Sequence, residues 1–477
     1  MENIFQPSAS AGILYWLYCV ASLLLVVRVV LNNRNPVKTL AWVMVLLFLP
    51  FLGLVLYFFF GRDTRRHKYI GRRSLTQIQQ RSHLYYRSHE SVETPAAYAP
   101  LVAYLENSAS AYPMPGSEVR VIADTTLFAR ELLAAIEAAE RHVHIQFYIF
   151  ENDEFGRRVR DALVAKARSG VEVRLIYDSV GSWRVPRSFF EEIRFAGGQV
   201  EAFLKVRFPV FGSRVNYRNH RKVVVVDGKL GFVGGCNIAD RYIKGINGGS
   251  WRDTMLSLRG GAVHGLQTSF LIDWYFANGS LVSGGAYFPP CSGKGGAVVQ
   301  VAQSNPVGGN RVIMSALVMM LAATRSYAYV QTPYLMLNDT VALALKNAAV
   351  AGVDVRLMIP LRADSRVADY ATYSYLGELL EAGVKVYLYE KGFMHSKAVV
   401  CDDAVSTVGS TNLDFRSFFY NFECNAFVYD TATAVALKAQ FLEDQKACSA
   451  LTLREYSQRS FARRCVESAA RLFSPLL

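Results

Sequence analysis

The chain has 477 residues, 52% of them hydrophobic, with 52 Lys+Arg against 39 Asp+Glu and a formal net charge of +13. That length carries two or three domains with substantial cores, and the positive balance favours anionic partners: phospholipid headgroups, nucleic acid or acidic substrates. The seven cysteines are scattered and contain no C-x-x-C pair, which excludes a disulfide framework or a cysteine zinc cluster and fits a reducing compartment.

The hydrophobic excess is concentrated at the N-terminus. One apolar run extends from Ala11 to Val27, and to Leu31 with Arg28 snorkelling near its end; a second, Leu40 to Phe60, carries no charge. A helix needs about 20 apolar residues to cross a bilayer core, so residues 1–61 are predicted to form two transmembrane helices, with Pro50 and Gly53 kinking the second. No Lys or Arg precedes Arg28, which argues against a cleaved signal peptide. The short connection holds Arg34 and Lys38, whereas the far flank holds Arg62, Arg65, Arg66, Lys68, Arg72 and Arg73. The heavier basic flank predicts a hairpin with both ends in the cytoplasm. Residues 62–117 read as a basic juxtamembrane linker; its interleaved Tyr69, Ile70, Leu75, Ile78, Leu84, Tyr85 and Tyr86 suit an interfacial helix on anionic lipid.

From about Val119 the sequence repeats itself. The first copy runs His144-Ile-Gln-Phe-Tyr148, a helical stretch Arg157 to Arg168, then Gly170-Val-Glu-Val-Arg-Leu-Ile176. The second runs Tyr329-Val-Gln-Thr-Pro-Tyr334, a helical stretch Val341 to Ala349, then Gly352-Val-Asp-Val-Arg-Leu-Met-Ile359. Each continues through a further helix ending in glycine and another strand, Ala196-Gly-Gly-Gln-Val-Glu-Ala-Phe203 and Ala382-Gly-Val-Lys-Val-Tyr-Leu388. Alternating strands and helices predict an α/β fold: two tandem domains, 118–285 and 286–477, each a mixed, largely parallel sheet flanked by helices. The join is placed in the Gly- and Pro-rich segment Ser283 to Gly296.

Each copy then reaches the same constellation. His220-Arg-Lys222 is followed by four valines, Asp227-Gly228 and Gly234-Gly-Cys-Asn237; His395-Ser-Lys397 is followed by Ala-Val-Val-Cys, Asp402 and Gly409-Ser-Thr-Asn412. The His-to-Asn interval is 17 residues in both. Positions i and i+2 of a strand face the same way, so each His and Lys should project together, and facing copies would gather two imidazoles, two ammoniums and two amides. That inventory suits an anionic phosphodiester: lysines and asparagines hold non-bridging oxygens, one imidazole attacks phosphorus and the other protonates the leaving oxygen. Asp227 and Asp402 belong to the motif, yet each ends a strand and can hydrogen-bond in the turn.

These residues resemble the phospholipase D superfamily, and within it the bacterial cardiolipin synthases. The resemblance is carried by Asn219-His-Arg-Lys222, Gly231-Phe-Val-Gly-Gly235, Trp251-Arg-Asp253, Asp273-Trp274, Gly392-Phe-Met-His-Ser-Lys397, Leu413-Asp-Phe-Arg-Ser-Phe-Phe-Tyr-Asn-Phe-Glu423 and the N-terminal Asn35-Pro-Val-Lys-Thr-Leu-Ala-Trp42. It implies a phosphohistidine intermediate with no cofactor or metal, His220 as nucleophile and His395 as general acid then base, though the symmetry of the copies leaves which is which open. It further implies that Lys222, Lys397, Asn237 and Asn412 bind phosphate and that a downstream acid, Asp253 or Glu423, orients each imidazole. Gly235 stands where the second copy has Ser410, so one half lacks that hydroxyl. The implied reaction is transfer of a phosphatidyl group from one phosphatidylglycerol to another, giving cardiolipin and glycerol at a bacterial inner membrane. The same motif permits hydrolysis by water, as in a phospholipase D or a nuclease. Two membrane spans weigh against a nucleic-acid partner, and the reading admits a homo-oligomer. The segment Phe203 to Phe211 reads either as strand and loop or as a lip dipping Phe208 and Phe211 into the interface.

Overall fold

The computed structural model describes residues 9–31, 36–49, 51–57, 92–205, 216–246, 248–290, 295–307 and 310–475. The expected interfacial segment Arg62 to Arg87, and Phe208 and Phe211 of the expected lip, lie outside them.

The N-terminal helices form one unit. A helix over Ala9–Leu31 is followed by one over Pro36–Phe48, and the Tyr18 hydroxyl donates to the Leu46 carbonyl at 2.7 Å. The second apolar run is broken: the helix stops at Phe48, Phe51 takes a positive φ of 59°, and a short helix resumes over Leu52–Leu56. A proline in that gap has no N–H for the helix and disfavours helical geometry in the residue before it. Among the described residues no helix is long and apolar enough to cross a membrane.

The second unit is built from two copies of one sheet pattern. In the first half, β1 (Met114–Ile122), β9 (Met255–Arg259), β7 (Leu230–Gly234), β6 (Val223–Val226), β2 (His142–Phe147), β3 (Glu172–Asp178) and β4 (Gln199–Phe203) lie side by side. In the second, β10 (Ala297–Ser304), β17 (Asn421–Tyr429), β16 (Val405–Gly409), β15 (Ala398–Cys401), β11 (Tyr327–Gln331), β12 (Asp354–Pro360) and β13 (Lys385–Tyr389) repeat that order, with β18 (Cys448–Leu451) added at the edge. Antiparallel pairing of β1 with β10 joins the halves. The sheet is mixed, as expected, but it is not largely parallel: in each half most neighbouring strands pair antiparallel. The runs β2–β3–β4 and β11–β12–β13 are parallel, where crossover helices intervene; the motif strands return through tight hairpins, which impose antiparallel pairing.

The helices lie where the repeat places them. Glu154–Arg168 is capped by Asp153, whose side chain accepts from the Gly156 N–H at 2.9 Å, and Asp339–Val350 is capped by Asn338. The run of four valines in β6 shows no alternation because both faces are covered: Val224 and Val226 pack into the outer core of the first half, Val223 and Val225 into a core shared with the second. That shared core takes Ala262, Val263 and Leu266 from the helix Ala262–Asn278 and Ala434, Leu437 and Phe441 from the helix Thr431–Gln445.

The motif aspartates close the hairpins. Asp227 and Gly228 have φ of 55° and 65°, and Asp402 and Asp403 have 56° and 51°, the left-handed geometry that begins each three-residue connection between Val226 and Leu230 and between Cys401 and Val405. Glycine relieves the strain in the first turn; in the second, Asp403 is held by the Tyr327 hydroxyl, which donates to its carboxylate at 2.8 Å and accepts its N–H at 3.0 Å. The Asp227 carboxylate accepts the N–H groups of Glu140, Arg141 and His142 at 2.7–2.9 Å, and Asp402 accepts those of Arg325, Ser326 and Tyr327 at 2.8–3.0 Å. Each aspartate thereby fixes the start of β2 or β11. Asp227→Ala should lower stability by about 2–3 kcal/mol by orphaning these donors, with kcat near normal in the fraction that stays folded. Thermal unfolding together with turnover on folded protein checks this, and loss of kcat without loss of stability would refute it.

Candidate active site

Both histidines stand just ahead of a short motif strand, in backbone that crosses to the other half. The His220 N–H donates to the Phe422 carbonyl at 2.9 Å, and the His395 N–H donates to the Arg252 carbonyl at 2.7 Å. Short parallel bridges precede each: β5 (Arg218–Asn219) against Asn421 and Phe422, and β14 (Gly392–Met394) against β8 (Ser250–Arg252). This register sets the residue after each acceptor, an acid, beside the opposing imidazole. Glu423 meets His220 Nδ1 at 3.0 and 3.1 Å, and Asp253 meets His395 Nδ1 at 2.6 Å. The acids thus act across the halves: Glu423 of the second copy holds His220 of the first, and Asp253 of the first holds His395 of the second.

The lysines follow the same symmetry. Nζ of Lys222 and of Lys397 each donates to its own histidine's carbonyl at 2.6 Å. The asparagines are partly committed. Asn237 accepts the Ile149 N–H at 3.0 Å and donates to the Tyr242 hydroxyl at 2.6 Å; Asn412 donates to Asp414 at 3.0 Å, and its Oδ1 is buried with no hydrogen-bond partner among the described residues. A primary amide carries two N–H bonds, so each retains one. Asp227 and Asp402, expected with this set, are a correction: they lie at the other end of the motif strands, roughly 20 Å away at the rise of extended chain. There they anchor the neighbouring strand, Asp227 near the His142 ring, and neither makes a hydrogen bond to His220 or His395 among the described residues.

A family model described as "Cardiolipin synthase, PLD-like domain" matches residues 132–247 and 317–445, one stretch in each half. Another, described as "Phospholipase_D-nuclease N-terminal", matches 20–62. The chain belongs to the cardiolipin synthase family. It is 36% identical over 483 residues to a cardiolipin synthase of Alkalihalophilus pseudofirmus, covering 99% of this chain and 95% of that one. It is 38% identical over 486 residues to the major cardiolipin synthase of Bacillus subtilis, covering 98% and 99%. The fold is also that of phosphatidylserine synthase from Haemophilus influenzae, with a TM-score of 0.63 and 14% identity over 79% of this chain and 100% of that one.

Within this cardiolipin synthase fold the two histidines differ in their surroundings. Among the described residues His220 has one ring beside it, Tyr148 at 5.1 Å, whereas His395 is enclosed by Trp251 at 5.0 Å, Tyr242 at 5.7 Å and Phe393 at 5.8 Å. Burial pushes the His220 imidazole down to about 4 against the pull of Glu423, and burial with the Lys397 charge pushes His395 down to about 3. Both rings are therefore neutral at pH 7. With Nδ1–H given to a carboxylate, Nε2 of each is left with its lone pair. Burial would raise the two acids, but His395 and Lys397 outweigh it at Asp253, as His220 and Lys222 do at Glu423, and both carboxyls stay below their usual range.

The Gly235–Ser410 difference follows from the lengths of the acids. The Ser410 hydroxyl donates to Glu423, which also receives the Asn421 amide at 3.2 Å. A Cβ at Gly235 would run into the Asp253 carboxylate, which takes the Thr254 N–H at 2.8 Å instead. A serine at 235 would push aside the carboxylate that orients His395.

Several supports were missed in the sequence. Gln146 donates to Asp273, and Gln331 donates to Asp444 at 2.9 Å, so equivalent strand glutamines meet equivalent helix aspartates. Asp273 also takes Arg221 at 2.5 Å and Asn219 at 3.0 Å, while Asp444 takes Arg252 at 3.0 Å. Asn219, Arg221, Arg252 and Asp273 stood in the segments that carry the resemblance but without a role, and the glutamines were signalled by their recurrence in His144-Ile-Gln146 and Tyr329-Val-Gln331. Tyr148, whose ring lies 5.5 Å from Lys222 Nζ, and Tyr242 had no such signal.

Burial pushes Lys222 down to about 7 and Lys397 down to about 8. A lysine is cationic below its pKa, so the paired positive charge is complete in acid and lost as pH rises through this window. Since kcat/KM reports the free enzyme, it should fall on the alkaline side between about pH 7 and 8, and Lys222→Arg, which stays charged, should move that limb upward. A wild-type profile flat across the window would contradict the assignment.

Proposed function

We propose that this chain, as a phosphatidyltransferase of the cardiolipin synthase type, makes cardiolipin and glycerol from two molecules of phosphatidylglycerol at the crossed pair of histidines. The observation that carries the reading is the exchange of acids: two neutral, oriented imidazoles share one site with two lysines, while the family supplies the acceptor chemistry. His220 Nε2 attacks phosphorus, the bond to the departing glycerol oxygen breaks, and that oxygen takes a proton from His395. The product is a phosphatidyl-histidine. His395 then removes a proton from a primary hydroxyl of the second phosphatidylglycerol, whose oxygen attacks phosphorus and releases His220. The anionic substrate supplies the charge that lets His395 hold a proton despite its low pKa, with Asp253 stabilising the imidazolium. Lys222, Lys397 and the spare N–H of Asn237 and Asn412 hold the non-bridging oxygens as charge develops.

His220 suits the nucleophile because its side chain is the more exposed, 11% against 7%, and its acid is fixed by Ser410 and Asn421 as well. The aromatic enclosure of His395 suits a group that cycles one proton away from water. On this reading residues 118–285 and 286–477 are two halves of one active site.

Purified protein given phosphatidylglycerol should yield cardiolipin and glycerol by mass; phosphatidic acid alone would mean hydrolysis. His220→Ala and His395→Ala should each lose on the order of 10^3-fold or more in kcat. The crossed pairing adds a sharper test with a phosphatidyl ester of a good leaving group, which needs no acid. Asp253→Asn should then give a burst of labelled phosphoenzyme that turns over slowly, while Glu423→Gln should slow the burst itself. The opposite assignment of effects would exchange the roles of the histidines.

We further propose that the N-terminal helices hold the enzyme in the bacterial inner membrane as a hairpin, with the catalytic halves cytoplasmic. Their outward apolar side chains support it, with Trp16 72%, Leu24 66%, Leu31 80%, Leu40 63% and Phe48 69% exposed. The basic residues that follow fit the cytoplasmic side. A single cysteine placed near residue 120 should resist impermeant reagents in intact cells; labelling from outside would overturn the topology.

A further inference from the structure

The last long helix, Phe461–Leu472, packs on the protein with the wrong face. Its buried positions are Glu467 and Ala470. Glu467, 2% exposed, accepts from Arg459 and from Arg463 Nε at 2.8 Å. Arg463 and Arg471 lie over the rings of Tyr373 and Tyr375 at 4.7 and 4.1 Å, and Arg471 also donates to Ser374 O and Glu378 at 3.0 Å. The charged side is thus what docks the helix to the helix Arg366–Glu381.

The apolar side points outward. Phe461, Cys465, Ala469 and Leu472 recur at intervals of four, four and three, the spacing of one helical face, with Val466 and Phe473 on the adjoining ridge. Phe461 is 79% exposed, Leu472 80%, Phe473 54% and Val466 46%. Such a surface is costly in water and marks a contact with something apolar. Its flanks say what kind. Between Leu453 and Pro475 there are five arginines against two glutamates. Arg459, Arg464, Arg471 and Ser468, together with Glu467, wall a cavity of about 300 Å³ that reaches Leu472 of the apolar face; Arg459 pairs with Glu467 and Arg471 with Glu378, and among the described residues the Arg464 side chain makes no ion pair.

We propose that this helix lies in the interface of an anionic bilayer, its apolar face among the acyl chains of one leaflet and its arginine-walled cleft at the phosphate headgroups. An aromatic and aliphatic face flanked by arginines is what an interfacial helix requires. A protein partner would explain the apolar face but not the cluster of arginines at its edge. The inference goes beyond the reaction proposed above, and its test does not depend on turnover.

Cys465 sits on the apolar face and is exposed, whereas Cys236, Cys401 and Cys424 are buried. In full-length protein carrying Cys19→Ser, Cys291→Ser and Cys448→Ser, a fluorophore on Cys465 would be followed in vesicles of phosphatidylglycerol with phosphatidylcholine, and of phosphatidylcholine alone. Lipids brominated in the acyl chain should quench it in the anionic vesicles and less in the neutral ones. Arg464→Gln should lower the inserted-to-exposed ratio about fivefold, the effect of one arginine near an anionic surface, and Phe461→Asp with Leu472→Asp should abolish quenching. Should the double variant fail to fold, Arg464→Gln carries the test alone. Quenching by aqueous iodide and not by brominated lipid would overturn the proposal, as would equal quenching in both vesicle types. Energy transfer between labels on two copies without acyl-chain quenching would assign the face to a second copy instead.

Discussion

The two carboxylate–imidazole bonds that cross between the halves are the constraint on which the rest of the second unit depends. Glu423 reaches His220 and Asp253 reaches His395 only if the halves keep one register, because a shift of one residue along a strand turns every side chain to the opposite face. That register is held by the backbone bonds from His220 to Phe422 and from His395 to Arg252, by the pairing of β1 with β10, and by the shared core between the helices Ala262–Asn278 and Thr431–Gln445. Neither half holds an oriented histidine alone. A duplicated domain has become one catalytic unit because each copy exports its acid.

Symmetry of polar identity coexists with asymmetry of surroundings, and the asymmetry is what lets one motif do two jobs. The buried Arg221, bonded to Asp273, has Ser396 as its counterpart, and Ser396 meets Thr254 at 2.7 Å. On the other side Arg252, bonded to Asp444, stands where the first histidine's neighbour has Phe422. The shorter Asp253 needs the space that a glycine leaves; the longer Glu423 can be braced by a serine. Each change alters how tightly an imidazole is gripped without altering which atom is gripped. A nucleophile must open to phosphorus and a proton carrier must be shielded, so unequal enclosure of equal groups is what the chemistry requires.

Much of this was legible in the sequence, and what was not has a physical reason. The repeat showed through because parallel strand–helix–strand units impose a recognisable alternation, and the histidines showed through because polar residues at fixed spacing stand out against valines. The share of antiparallel pairing was harder to read: Val223 to Val226 are buried on both faces and carry no period that tells an antiparallel strand from a parallel one. The exchange of acids was invisible, since Asp253 and Glu423 each lie downstream of a histidine in their own copy and no pattern along a chain says which of two equivalent partners is met in space. The motif aspartates misled for a related reason. Their fixed spacing looks chemical, but it is the length of one short strand plus its turn. The inverted helix Phe461–Leu472 was unread because amphipathic spacing is the same whichever face is buried.

The lysines show how the site balances stability against function. Lys222 and Lys397 are buried beside each other's histidines, and burial disfavours the charged form that phosphate binding needs. Among the described residues each ammonium donates to the backbone carbonyl of its motif histidine, His220 or His395, a partner too weak to offset full desolvation. The acids relieve this only in part, because each is already engaged by an imidazole. On the proposed mechanism a phosphodiester would supply the missing negative charge, and the stabilisation would increase as charge develops on phosphorus. On the proposed mechanism the same burial that makes the lysines costly would also limit water at phosphorus, and so favour a lipid hydroxyl as acceptor of the phosphatidyl group.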